Sequence, residues 1–350
     1  MNKNFSLRQL CPEDGPAYAA LLAASPDTGS VGTAVHFEID PYQALLALHA
    51  DTVGVVAETP DFAGLVGSGL IRFRQIQWEG QVLPSALLNT LVVHPDFRRR
   101  GLASLLAKWR EDYARSRFGE HGVIWAIIQR NNTGSERTAQ KWASQFLEHR
   151  LTIIPMKMRS TSPPPSRQFI VRPIQPDDFV TVVDQLNEFY RNYNLYSPET
   201  EQSLLAWLNE TPFDSVFRHY RVVTDHAGRL LAGLALAETF RLRTTVITHM
   251  PTVLRFLNLL LHVVPTSGLL QEVAVSRVWY DPGQDLAARY LFETMRWEWR
   301  DRATSLLLYS DVGSPLLKIY GLRPWTGNTI ESIALRAPTP CSEEKLYYYA

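Results

Sequence analysis

The chain has 350 residues, a length that favours two domains over one. It is 45% hydrophobic and 20% charged, which supports sizeable buried cores and excludes a disordered chain. The 35 basic and 35 acidic side chains cancel, excluding a general electrostatic hold on nucleic acid or an anionic membrane. Any positive field must be local.

The first ten residues, MNKNFSLRQL, lack the apolar core of a signal peptide. A short strand then meets proline and acids in "FSLRQLCPED" from Phe5, the pattern of a strand-to-helix entry with acids in the first turn. Further on, "LLNTLVV" at 87–93 reads as a strand. A His-Pro-Asp turn and the run Arg98-Arg99-Arg100-Gly101 follow it. Leu102, Leu105, Leu106, Trp109 and Tyr113 then recur at helical spacing. Another strand, "GVIWAII" at 122–128, comes next.

The segment "STSPPPSRQ", 160–168, reads as an extended linker because its prolines forbid a helix. Beyond it the plan repeats. "FIVRPIQPDD" from Phe169 matches the segment from Phe5, and "LLQEVAV" at 269–275 matches "LLNTLVV". The same register carries Gly101 onto Gly283. Leu286, Tyr290, Leu291, Met295 and Trp299 give a second helical stripe, and "SLLLYS" at 305–310 a second following strand. The expected organisation is a tandem duplication of one α/β unit: residues 1–158, a linker at 159–168, and residues 169–350. The most apolar window, "TVLRFLNLLLHVV" at 252–264, is too short to span a bilayer and is expected to be a buried helix. Two cysteines, Cys11 and Cys341, make neither a disulfide framework nor a metal cluster and suit a reducing cytoplasm.

The arginine turn carries the chemistry. A helix start leaves backbone N–H groups unpaired and carries partial positive charge. Glycine lets an anion approach the backbone, and three arginines add donors around the same point. The expected occupant is a pyrophosphate or similar anion. The alternative is an ordinary basic loop capping a helix.

The spacing Arg-x-x-Gly-x-Ala, after a strand ending Val92–Val93, resembles the acetyl-coenzyme A motif of the GNAT superfamily of N-acetyltransferases. Arg98, Gly101 and Ala103 occupy its defining positions. "NTGSERTAQKW", residues 132–142, resembles the later coenzyme-binding segment of the branch that acetylates ribosomal-protein N-termini, and marks Asn132 and Ser135. Its end, Trp142 and then "ASQF", departs from that branch's Leu-Gly-Phe. The resemblance implies an α/β (α+β) fold of two tandem GNAT-like domains, each a mixed, mostly antiparallel splayed sheet flanked by helices. It implies acetyl-CoA as cosubstrate and no metal. Leu91, Val92 and Val93 would face the pantetheine arm. Arg98, Arg99, Arg100, Gly101, Leu102, Ala103 and Ser104 would hold the pyrophosphate. The expected enzyme is a cytoplasmic monomer or homodimer, with a small-molecule or peptide amine as substrate and with no nucleic-acid or membrane partner.

The second copy is expected to be silent toward coenzyme. In the register above, Tyr280, Asp281 and Pro282 replace the arginines, and Gln284 and Asp285 replace Leu102 and Ala103. Proline removes a donor and aspartates repel phosphate. Catalytic groups are less well marked. Amine acylation needs a neutral nitrogen, an oxyanion donor and a stabilised leaving thiolate. "LLNTLVV" has no carboxylate, though Asn89 could orient water or amine. His94 is a candidate base because histidine as a residue type titrates near neutrality, yet it sits in a turn where a structural role competes. By resemblance the acceptor loop lies at "VHFEID", 35–40, where Glu38, with His36 and Asp40, could act as base or remain solvated. Lys141 or Trp142 lies near the place of a family tyrosine. An acyl-CoA-binding regulatory or scaffold module without turnover stays open as the alternative function.

Overall fold

The structure is a computed structural model that describes residues 5–26, 32–129, 132–252, 256, 258, 265, 267–311, 313–322, 328–342 and 346–347. The apolar stretch 252–264 lies largely outside the described residues. The chain divides into two compact units. One comprises residues 1–149, 247–250 and 330–344; the other comprises 150–246, 251–329 and 345–350.

In the first unit, β1 (Ser6–Gln9), α1 (Gly15–Ala24), β2 (Gly32–Phe37), α2 (Pro41–Leu48), β3 (Thr52–Thr59), β4 (Phe62–Trp78), β5 (Gln81–Val93), α3 (Leu102–Phe118), β6 (Val123–Gln129) and α4 (Thr133–Ala139) follow in chain order. β1, β3, β4 and β5 pair antiparallel in that order, and β6 runs parallel to β5. The core lies against α3, where Val55, Val66, Phe97, Leu102 and Leu106 are buried together. Each such side chain contributes roughly 1.5–3 kcal/mol by leaving water.

The second unit holds residues 150–157 of β7 (Gln145–Lys157), then β8 (Ile170–Pro173), α5 (Phe179–Phe189), β9 (Tyr193–Asn194), α6 (Glu201–Asn209), β10 (Arg218–Thr224) and β11 (Leu230–Ala237). Next come residues 243–246 of β12 (Arg243–His249), then β13 (Leu269–Leu270), β14 (Glu272–Tyr280), α7 (Asp285–Glu298), β15 (Ser305–Asp311) and α8 (Leu316–Ile319). Its main sheet repeats the plan: β8, β10, β11 and β14 are antiparallel, and β15 is parallel to β14.

The sixth strand of each sheet comes from the other half of the sequence. β7 lies antiparallel to β15, from Ser305↔Lys157 to Asp311↔Leu151. β16 (Asn328–Arg336) lies antiparallel to β6, from Glu331↔Gln129 to Arg336↔Ile124. Each borrowed strand covers what would be an open edge, whose unpaired N–H and C=O groups would invite association. Arg336 further ties β16 to α3 through Glu111, at 2.9 Å.

The repeated strand-to-helix entry has one physical cause. Arg8 grips Asp14 with two hydrogen bonds, at 2.6 and 2.7 Å, and Asp14 also accepts from the Cys11 amide at 2.9 Å. In the second unit Arg172 grips Asp178 at 2.5 and 2.9 Å, and the Gln175 amide donates at 2.7 Å. A charged fork thus pins the end of a strand to the start of a helix in both copies.

The helical stripe of α3 is turned from its expected face. Leu102, Leu106, Ala107, Arg110 and Ala114 are buried, while Leu105 is 45% exposed. Two glycines of β4 cause this. A Cβ at Gly67 would lie 2.9 Å from Leu106 Cδ1, and one at Gly69 would lie 2.9 Å from Arg110 Cδ. Their bareness lets α3 settle close to the sheet on this side.

The Arg8 grip, ahead of burial, holds the Asp14 carboxyl at about 2, below its ordinary 3.8. A depressed carboxyl pKa stabilises the fold above pH 3.8, and that contribution is lost as pH falls through 2. Asp14→Asn is therefore expected to lower stability by about 1–2 kcal/mol at neutral pH. Denaturant melts of both proteins should converge as pH falls from 4 toward 2; a constant gap would contradict the assignment.

Candidate functional site

β5 and β6 are partners over only three pairs, Ser85↔Val123 to Leu87↔Trp125. Beyond Leu87, β5 continues to Val93 and β6 to Gln129 without pairing to each other, so the middle of the sheet opens. On its other side β5 stays paired to β4, with a register shift between Ser68↔Val92 and Leu70↔Asn89. Thr90 takes up the extra residue with φ of 47°, a left-handed conformation rare for a β-branched residue.

The turn after β5 is wound tightly. The His94 amide donates to Val66 O at 3.0 Å, and Phe97 and Arg98 amides close back onto His94 O and Pro95 O. Arg98 Nε donates to Val93 O at 3.2 Å, which folds that side chain against the strand end. Arg99 and Gly101 have φ of 60° and 82°. These left-handed residues reverse the chain into α3, and at Gly101 the conformation is free of a Cβ penalty. Among the described residues, the amides of Arg99, Arg100, Gly101, Leu102 and Ala103 meet no acceptor, while Ser104 and Leu105 amides return to Gly101 O. Five donors therefore converge at the positive end of a 17-residue helix.

Arg98, Arg99 and Arg100 are exposed, and no carboxylate among the described residues lies within ion-pair distance of them. Arg100 packs over the Phe97 ring at 4.9 Å. A fourth cation joins them: Lys141 Nζ donates to Ser104 Oγ at 2.7 Å. That lysine stands in the "NTGSERTAQKW" run, where the resemblance set Lys141 or Trp142 near the place of a family tyrosine. Asn132 caps α4 by accepting from the Ser135 amide at 3.1 Å, and Trp142 is buried in the core. The structure thus gathers Val93, Arg98–Ser104 and Lys141 at one place.

The catalytic candidates are held differently. The side-chain oxygen of Asn89, in the orientation that satisfies both groups, accepts from Arg72 Nε and Nη2 at 2.9 and 3.2 Å. His94 Nδ1 accepts from the Asp96 amide at 3.4 Å, and its ring packs on Phe62 and Phe97. Glu38 is exposed just beyond β2, and Asp40 caps α2 by accepting from the Gln43 amide at 2.9 Å. His36 is exposed on β2.

A residue that local sequence reasoning passed over lies beneath the opening. Arg110 of α3 is 3% exposed. Its Nη1 donates to Asn89 O at 3.0 Å and to Leu70 O at 3.4 Å, and Nε to Leu106 O at 3.4 Å. No carboxylate among the described residues pairs with it. Burial pushes its pKa down to about 10, so the guanidinium keeps its charge at neutral pH.

The second unit has the same opening. β14 and β15 pair only from Glu272↔Ser305 to Ala274↔Leu307, and Arg277 repeats the left-handed bulge with φ of 50°. These landmarks set Leu87 against Ala274 and Thr90 against Arg277, five positions beyond the expected match with "LLQEVAV". Gly101 and Gly283, with φ of 79° at the latter, do correspond. The second turn is therefore the shorter one, with only Asp281 and Pro282 between Tyr280 and the glycine. Asp281 is buried and pairs with Arg229 at 2.7 Å, and Asp285 pairs with Lys318 at 2.8 Å. Ser314, at the place of Asn132, accepts from the Leu316 amide at 3.2 Å just ahead of α8. Tyr190 Oη donates to Val278 O at 2.7 Å and Tyr220 Oη to Arg277 O at 2.9 Å, so side chains of this unit close its own bulge.

Residues 24–143 match the acetyltransferase (GNAT) family. The fold is similar to that of Saccharomyces cerevisiae N-myristoyltransferase with bound myristoyl-CoA, with a TM-score of 0.63 and 12% identity over 96% of this chain and 80% of that one. It is also similar to a GCN5-related N-acetyltransferase from Sphaerobacter thermophilus, with a TM-score of 0.58 and 15% identity over 97% and 98% of the two chains. No curated protein sequence matches. The fold and the turn define a GNAT architecture of mixed, mostly antiparallel sheets flanked by helices. Residues 24–143 carry that family's match, the chain as a whole shares its fold, and the two together support an acyltransferase. Among the described residues, no group of three or more His, Cys, Asp or Glu side chains could hold a metal, and no helix is long and apolar enough to cross a membrane.

Tyr190→Phe should cost about 1–3 kcal/mol, since it strips the partner from the buried Val278 carbonyl. Thermal unfolding of full-length protein checks this; an unchanged midpoint would show that water takes the hydroxyl's place.

Proposed function

We propose that this protein is an acetyl-CoA-dependent N-acetyltransferase whose chemistry lies in the first unit and whose acceptor is the primary amine of a small molecule or a peptide N-terminus. One observation carries the reading: five acceptor-free amides and four cations without carboxylate partners gather at the start of α3, directly after a strand whose edge has parted from its neighbour. A pyrophosphate fits that donor set, because it supplies the acceptors the helix lacks and the charge the arginines lack. An extended arm of amides fits the parted edge of β5, where Leu91, Val92 and Val93 offer main-chain groups. The enzyme works in the cytoplasm, as a monomer or homodimer, without a metal.

In the second unit the same positions are spent internally. Asp281 and Asp285 bring negative charge to the turn, each already paired with a cation. Tyr190 and Tyr220 take the bulge carbonyls. This unit is silent toward coenzyme. A second reading, an acyl-CoA-binding module without turnover, draws support from the ties of Asn89 to Arg72 and of His94 to its own turn.

Gly101→Asp places both a strained left-handed side chain and a negative charge at the cradle. Calorimetry with acetyl-CoA is expected to show at least about tenfold weaker binding, on the scale of 2 kcal/mol for a charge at a helix terminus. Gly283→Asp should leave binding unchanged; equal weakening by both would sink the division of labour. Release of free coenzyme A with a panel of amines and N-terminal peptides separates an enzyme from a binding module.

A further inference from the structure

A buried arginine without an acid is costly, because its charge is taken out of water with nothing opposite in return. Arg110 sits in that situation under the bulge of β5, and the sequence makes room for it. Gly69, opposite the bulge, would clash with Arg110 if it carried a Cβ. The second unit offers an internal comparison. The register of β11 sets Leu234 at the place of Gly69, and Phe292 lies as far beyond Gly283 as Arg110 lies beyond Gly101. Leu234 and Phe292 are both buried in one apolar cluster. The unit with the arginine turn has the glycine–arginine pair, and the unit without it has leucine and phenylalanine.

The hydrogen bonds say what the charge addresses. Arg110 Nη1 holds Leu70 O on β4 and Asn89 O on β5. The carbonyl of Asn89 therefore points toward β4 and α3. Its peptide is trans, so the N–H of Thr90 at its other end points the opposite way, toward the side from which β6 has departed. A donor on the carbonyl withdraws electrons through the amide and strengthens the N–H as a donor.

We infer that Arg110 is a positioning residue for acyl transfer: it fixes and polarises the Asn89–Thr90 peptide so that the Thr90 amide stabilises the negative charge growing on a thioester oxygen when an amine adds. The inference rests on the coenzyme reading above. Arg110 touches neither substrate; it acts through one peptide group and through a fixed positive charge close behind it. A preorganised donor in a dry setting is worth more than the same donor in water.

Infrared spectroscopy of acetyl-CoA labelled with carbon-13 at the carbonyl tests this without knowledge of the acceptor. Bound to the full-length wild-type protein, the carbonyl stretch should fall below that of free acetyl-CoA. Arg110→Met should return most of that displacement while calorimetric affinity stays within about threefold (about 0.7 kcal/mol). Arg110→Lys, with a point charge that cannot span both carbonyls, should retain an intermediate displacement. The double variant Gly69→Leu with Arg110→Phe imports the apolar pair of the second unit. It carries the test if the methionine variant does not fold. Turnover with any accepted amine should drop at least about tenfold with little change in KM. An unmoved carbonyl stretch in variants that still bind would overturn the inference and leave the coenzyme site intact. Parallel loss of binding and displacement in every variant would also overturn it, reducing Arg110 to packing. Wild-type protein that binds no acetyl-CoA would instead overturn the coenzyme reading on which the inference stands.

Discussion

The parting of two central strands governs both units. A parallel pair such as β5 and β6 would ordinarily satisfy its backbone groups along its whole length, and here it stops after Leu87 and Trp125. Buried peptide groups left without partners are costly, so the fold must supply something else along that line. In the first unit the answer is external: an exposed Thr90, a left-handed turn and a helix start with free amides. In the second the answer is internal, with tyrosine hydroxyls on the carbonyls of Arg277 and Val278. One geometric defect is met in two ways: the first unit leaves its turn amides open, and the second closes its bulge with tyrosine hydroxyls.

The duplication also shows which contacts hold the fold and which belong to the site. Arg8–Asp14 and Arg172–Asp178 survive in both copies with the same two-pronged geometry, because every strand-to-helix entry of this kind needs its corner fixed. Gly101 and Gly283 likewise keep the left-handed turn. The arginines, Lys141 on Ser104, and Arg110 beneath the bulge occur in the first copy alone. Structure is shared and charge is not.

How far the sequence could be read follows from the range of each interaction. The turn at Arg98–Gly101, the helix after it and the repeated Arg–Asp entry were legible because their residues lie within a few positions of one another. The register of the second copy was set five residues off, since "LLNTLVV" and "LLQEVAV" share apolar letters. The true landmarks, Thr90 and Arg277, share only a backbone conformation. Nothing local marks Arg110 within the helical run after the turn; its burial depends on Gly67 and Gly69, some forty positions away. The borrowed strands were the least legible feature. Nothing local in "ESIALR" says that its partner is "IWAIIQ", because pairing in a sheet is decided by which edge is open.

That borrowed strand sets a timetable for synthesis. A ribosome finishes β6 with Gln129, but Glu331 to Arg336, which close its edge, emerge only after roughly 200 more residues, some ten seconds or longer at about 5–20 residues per second. Until then the first unit has its arginine turn and helix but not its sixth strand. An N-terminal half cannot mature on its own schedule; it is completed when the chain that follows it has been made. The nascent protein therefore carries the unpaired edge of β6 until residues 331–336 emerge, although its arginine turn and the helix after it are made long before.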